Sequence, residues 1–179
     1  MKPLKNILVL LCSLLLLSAS CKKPSKNPID NLPPATQTGA NTFGCLVNGE
    51  VFLPKGSGFG GPVLRCQYVF DNGFYTLYLS ASNRAQDINK SIRLVIKDID
   101  LSPNLYVLNN DSTSKGEYST INNLLFTNSY KTTLNNTGNL RINYWNPGKG
   151  VLSGNFSFDA VNSIGEKVEI REGRFDVKL

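Results

Sequence analysis

From about residue 42 to the C-terminus, short β-rich apolar runs recur at roughly ten-residue intervals, each closed by Gly, Asn, Asp or Pro. That rhythm predicts antiparallel strands joined by tight turns. Leu46-Val47-Asn48-Gly49-Glu50-Val51-Phe52-Leu53 sets Asn-Gly between two apolar stretches. This is the strongest short-range hairpin signal, because a type I′ turn needs positive φ at both central residues. Leu64 to Phe70, the turn Asp71-Asn72-Gly73 and Phe74 to Ser80 make a second hairpin. Alternation puts Tyr75, Leu77 and Leu79 on one face, and Phe74, Thr76, Tyr78 and Ser80 on the other. Ser91–Lys97 follows, with Ile92, Leu94 and Ile96 sharing a face, and then Asn104–Leu108.

The pattern continues through Glu117–Thr120, Leu124–Thr127, Leu140–Trp145, Val151–Val161, Lys167–Ile170 and Gly173–Val177. No segment carries a 3.6-residue apolar stripe, and only Ser82–Lys90 leaves room for a helical turn. There is no internal repeat. The expected fold is all-β, an antiparallel β-sandwich, with a small closed lipocalin-like barrel as the alternative.

Upstream of residue 42 the pattern changes. Lys2 and Lys5 precede an apolar run from Ile7 to Leu17, then Ser18-Ala19-Ser20 and Cys21. The run is shorter than the ~20 apolar residues of a spanning helix, and the order of its parts is that of a secretory signal peptide. Leu17-Ser18-Ala19-Ser20-Cys21 resembles a bacterial lipobox. The resemblance implies cleavage before Cys21, with Cys21 as a lipidated N-terminus. At ~0.8 kcal/mol per buried methylene, two or three acyl chains amount to permanent attachment. Lys22 stands where Asp would imply inner-membrane retention, and Lys22-Lys23-Pro24-Ser25-Lys26 lacks the acidic cluster of a surface-export signal. The expected address is the bacterial outer membrane, on its periplasmic face, with the cell surface as the alternative. Residues 22–41, with four prolines and little apolar periodicity, read as a tether. The expected organisation is a signal peptide over 1–20, a lipidated cysteine and tether over 21–41, and one β domain over 42–179.

Charge and composition remove several function classes. The formal charge is +6, yet from Thr42 onward 14 basic residues face 12 acidic ones, and no basic stripe interleaved with aromatics suggests nucleic acid. The chain has no histidine, which removes the Ser-His-Asp and Cys-His triads, the HExxH zinc site and every imidazole base. No metal or cofactor is expected. Cys12 leaves with the signal and Cys21 takes the lipid, so Cys45 and Cys66 remain as a pair in an oxidising compartment. A disulfide between them would contribute about 3 kcal/mol by closing a ~20-residue loop. The alternative is two buried thiols packing as small apolar groups.

Candidate sites are few. Trp145, the single tryptophan, stands with Tyr144 at a strand end beside Asn146-Pro147-Gly148, and Phe59 lies in the glycine-rich loop Gly56–Pro62. Aromatics at loop ends stack on sugars or anchor protein partners; the other reading of Trp145 is that it caps the core. Asp98-Ile99-Asp100 reads as a solvated strand end. Asp111-Ser112-Thr113 resembles a short bacterial O-glycosylation motif, and Lys115 and Asn122 rule out an EF-hand there.

Thr42–Phe52, Gly154–Asn162 and Glu172–Val177 together resemble a family of Bacteroidetes lipoproteins of unknown function. The resemblance implies the lipoprotein address and a single β domain, and it supplies no catalytic residue. The expected function is that of a non-enzymatic, lipid-anchored module that binds or scaffolds an envelope protein or glycan. The alternative is a carrier of a small apolar ligand inside a barrel.

Overall fold

The computed structural model describes residues 25–56, 61–85, 87–111, 113–122 and 126–179. After a 3₁₀ turn at Pro28–Asn31 come eleven strands. They are β1 (Thr42–Val47), β2 (Glu50–Phe52), β3 (Leu64–Asp71), β4 (Phe74–Asn83), β5 (Ile88–Lys97), β6 (Leu105–Leu108), β7 (Ser114–Asn122), β8 (Phe126–Lys131), β9 (Gly138–Asn146), β10 (Val151–Val161) and β11 (Lys167–Lys178).

All belong to one antiparallel sheet in the order β2-β1-β11-β10-β8-β7-β5-β4-β3. β9 takes most of the edge of β10 that β8 meets only at Val161–Lys131, and β6 pairs beyond β9. The sheet curls until the chain leaving β2, at one end, meets the last residues of β4, the strand next to the other end. Lys55, just after β2, bridges Asn83 at the end of β4, and its N–H donates to the Ser82 carbonyl at 3.1 Å. The result is a half-barrel in which the two walls of one sheet face each other across a single core. The expected all-β class and antiparallel pairing hold, and the curl of one sheet supplies the two layers that a sandwich would build from two sheets.

The alternation read from the sequence sets what faces inward. Leu77, Leu79 and Ala81 of β4, Ile92, Leu94 and Ile96 of β5, and Phe156, Phe158 and Ala160 of β10 are buried in one cluster with Phe43, Phe52, Ile170 and Phe175. Trp145 packs against this cluster half-buried. Phe158 needs a glycine on each side. Gly138 lies directly opposite it on β9, and a Cβ at Gly116 of β7 would sit 3.0 Å from its Cγ.

Three elements differ from expectation. Lys167–Ile170 and Gly173–Val177 are one strand, because Glu172 takes φ 54° and Arg171 and Glu172 together oppose Ser157 in a β-bulge. The bulge bends β11 without ending it. Ser82–Lys90 holds no helical turn among its described residues: β4 runs to Asn83 and β5 begins at Ile88.

The third concerns the tether. From Pro28 the segment lies on the domain. The 3₁₀ turn packs on β2, Leu32 is buried, and Pro33 fills the space above Gly44. Asp176 of β11, only 1% exposed, holds the rest down. It accepts hydrogen bonds from Thr36 Oγ1 (2.6 Å), Thr38 N (3.0 Å) and Oγ1 (3.2 Å), Gly39 N (2.8 Å) and Ala40 N (3.2 Å). A buried carboxylate must be satisfied by donors, and these backbone amides are the nearest source. Burial alone would push the Asp176 carboxyl up; the hydrogen bonds outweigh it and hold the group below its usual range.

Candidate functional site

The strands carry their inward register past the apolar core, and at one end of the half-barrel it turns polar. On β5 the inward series Ile96, Leu94, Ile92 continues to Lys90, and on β7 the series Gly116, Tyr118 continues to Thr120. The pairs Ile92–Tyr118 and Lys90–Thr120 set these residues side by side, and Tyr130 of β8 pairs with Tyr118. Across the opening stand Val47, the Asn48-Gly49 turn, Glu50 and Phe52 from the first hairpin, with Lys167 and Val168 of β11. Together they enclose a cleft of about 610 Å³, open to solvent on one side. Antiparallel order explains why all these ends coincide: the β1–β2 turn, the β4–β5 connection and the start of β11 lie at the same end of the sheet.

Two tyrosines form the inner wall of the cleft. The Tyr118 and Tyr130 ring centroids are 5.9 Å apart at 42°. Burial pushes the Tyr118 hydroxyl up to about 12, with Tyr130, Cys45 and Glu50 adding to the effect. Burial and the Glu166 carboxylate, which accepts a 3.3 Å hydrogen bond from the Tyr130 hydroxyl, push Tyr130 up as well. Both phenols are therefore neutral at physiological pH.

Charge is asymmetric on the rim. Lys167 is engaged by Asp159 at 2.7 Å and Glu169 at 3.2 Å. Among the described residues Lys55 and Lys90 have no carboxylate partner, and Glu50 is the acidic residue of the lining. Asn48 accepts from Glu169 N at 2.8 Å through its side-chain oxygen, which leaves its amide N–H groups for the opening. The arrangement can stack or donate to a polar ligand and meet an anionic substituent with two ammonium groups. Its phenols, held protonated, make poor bases.

The residues singled out from sequence fall elsewhere. Cys21 and Phe59 lie outside the described residues, as does Ser112. Trp145 spends its ring on the core, and the Tyr144 hydroxyl accepts from Asn146 Nδ2 at 3.2 Å. Neither lines the mouth cleft. Asp98 and Asp100 are exposed on either side of buried Ile99. Asp111 Oδ1 accepts from Thr113 N and Oγ1, both at 2.7 Å, and Ser114 N at 2.8 Å, which holds its carboxyl down at about 2. It shapes its own turn.

Of the two readings open for Cys45 and Cys66, the structure shows the second: no disulfide joins them and both thiols are free. Cys45 lies on β1, opposite Phe52, and Cys66 on β3, opposite Leu79, so each is committed to its own wall. Burial pushes the Cys66 thiol up to about 12 and Cys45 further, so both behave as inert apolar packing groups.

Tyr118, Tyr130, Lys90 and Lys55 were not found from sequence. Their signal is a polar residue in the inward register just past the last core position, as Lys90 follows Ile92. It is legible only once the inward face and the neighbouring strands are known.

No curated protein matches this chain in sequence, and no solved structure matches it. Residues 68–177, from the middle of β3 to the end of β11, match a described domain family. The match takes in the tyrosine wall of the cleft and leaves the first hairpin, its opposite lip, outside. Since it spans more than half of the chain, the protein belongs to the DUF6252 family, a domain of unknown function.

Proposed function

We propose that the protein is a non-enzymatic binding module of the cell envelope, held to the outer membrane through lipidated Cys21, and that the mouth of its half-barrel binds a polar envelope glycan. The observation that carries this reading is the composition of the cleft. Two neighbouring tyrosines, the Asn48 amide, Thr120 and the lysines Lys55 and Lys90 surround a space of about 610 Å³, large enough for a small oligosaccharide. Aromatic rings give a sugar its flat apolar contact, and the amide and hydroxyl groups serve its hydroxyls. Lys55 and Lys90 favour a glycan with acidic substituents.

An apolar ligand carried inside the barrel finds no comparable support. The space between the walls is taken by Phe43, Phe156, Phe158 and Phe175, and the sizeable opening is lined by charged and polar groups.

The test is saturation-transfer NMR and calorimetry of the full chain, in non-ionic detergent, with soluble muropeptides and lipopolysaccharide core oligosaccharide. Binding of one of these is expected, weakened about tenfold or more by Tyr130→Ala, as removal of a stacking aromatic does. Lys90→Ala weakens it chiefly at low salt. Absence of binding to either fragment, or binding that both variants leave unchanged, overturns the assignment.

A further inference from the structure

β3 ends the sheet. Its backbone groups alternate between facing β4 and facing out. The two-residue turn at Asn72-Gly73 makes Asp71–Phe74 a hydrogen-bonded pair, and Val63 O accepts from Ser82 N at 2.7 Å. The odd-numbered groups of β3 therefore face β4, and the N–H and C=O groups of Leu64, Cys66, Tyr68 and Phe70 point outward. Among the described residues no segment pairs with them. The tail of the first hairpin bridges β4 at Asn83, beyond the point where β3 begins.

This edge carries apolar surface that a monomer gains nothing by showing. Phe70 is 63% exposed, Tyr75 47% and Val69 38%. Tyr75 stacks on Tyr68 at 4.7 Å and meets Phe70 edge-on at 5.0 Å, so the rings form one cluster overhanging the core. A long exposed edge of this kind is a template for another strand. The other free strands are shorter: β2 has three residues and β6 four.

The order of charges along β3 identifies the partner. Arg65 stands near one end and Asp71 at the other, both exposed, and among the described residues neither forms an ion pair. We propose that β3 pairs antiparallel with β3 of a second copy of this chain, about a two-fold axis at Tyr68. In that register Tyr68 faces the partner's Tyr68 and Cys66 faces the partner's Phe70, so every outward N–H and C=O from Cys66 to Phe70 finds a mate. Arg65 falls opposite the partner's Asp71 at both ends, in non-hydrogen-bonded pairs where side chains approach most closely. Gln67 falls opposite the partner's Val69. The overhanging Phe70 is covered by the partner strand, and the two half-barrels share one continuous sheet. Moving the register by two residues either way separates Arg65 from Asp71, so charge selects this pairing.

Sedimentation of the full chain in non-ionic detergent at low salt tests the interface. Wild type is expected to dimerise. Arg65→Asp and Asp71→Arg, each alone, place like charges at both ends and weaken the dimer about tenfold or more. An equimolar mixture of the two restores opposite charges at both ends and is expected to dimerise as wild type does. Both positions are exposed, so folding is not at issue. As an independent measure, Gln67→Cys mixed with Val69→Cys is expected to form a disulfide-linked heterodimer on air oxidation, and neither variant alone to do so. A wild type that stays monomeric at a concentration on the order of 100 μM overturns the proposal. So does a dimer indifferent to both charge reversals, which would place the contact on another face, or association only with a different protein.

Discussion

Phe158 joins the two walls at a single side chain. Its ring lies against Gly116 of β7, its Cβ faces Gly138 of β9, and its own strand pairs with β11, so truncating it opens a void beside β7 in the core. Phe158→Ala is expected to lower stability by about 3–5 kcal/mol in urea unfolding, the cost of a large aromatic removed from a core that cannot collapse around the hole. Gly116→Ala acts on the same contact from the other side and forces the ring to give way. The thiols make a separate prediction. With both pushed up by burial, Cys45 and Cys66 are expected to resist alkylation at pH 8 in the native protein and to react only on unfolding, as read by mass spectrometry without reductant. A bridged pair would add no label even when unfolded.

Among the elements, the N-terminal segment depends on a single residue. Asp176 gathers five hydrogen bonds from Thr36 to Ala40, and this is why a proline-rich stretch that reads as a spacer lies on the sheet. Loss of a buried charged acceptor costs about 1.5–3 kcal/mol. Asp176→Ala is expected to lose that much stability and to speed hydrogen exchange at the amides of Thr38, Gly39 and Ala40. The pH dependence follows from the direction of the shift. The folded carboxyl is held below its unfolded value of 3.8, so its contribution is complete above that pH and fades as pH falls through the lower folded value. Wild type is expected to lose stability on acidification below about pH 4, and the alanine variant to lose less over the same range, as measured by urea midpoints. The β-bulge at Glu172 is the other device at this scale. It lets β11 pair with β10 and β1 along its length while bending enough for the sheet to curl.

At the scale of the whole molecule the described residues form one buried cluster, and strands from both ends of the sheet contribute to it. Neither wall keeps its apolar face buried when the other is removed. Unfolding is therefore expected to be a single cooperative transition, with Trp145 fluorescence and far-ultraviolet circular dichroism tracing the same urea curve. Separate curves would mean that the walls unfold independently. The mouth cleft follows from the same curl. A flat sheet with these strands would leave Lys90, Tyr118 and Tyr130 on an open face, and bringing the first hairpin opposite them makes an enclosure.

What the sequence determined by itself is local: which runs are strands, where Asn-Gly and Asp-Asn-Gly turn the chain, and which face of each strand is apolar. These depend on backbone preference and on a two-residue period, and both can be read from a single run of residues. Leu77 and Leu79 on one strand and Ile92, Leu94 and Ile96 on the next are buried together on the faces that alternation assigned them. Only the tertiary structure decided that the layers come from one curled sheet, that Cys45 and Cys66 stay apart, that residues 36–40 are held by Asp176, and that Lys90 and Thr120 face the first hairpin. Each of these is a pairing between residues far apart in the chain. Such pairings depend on how a dozen elements share one small core, and no short stretch of sequence contains that information.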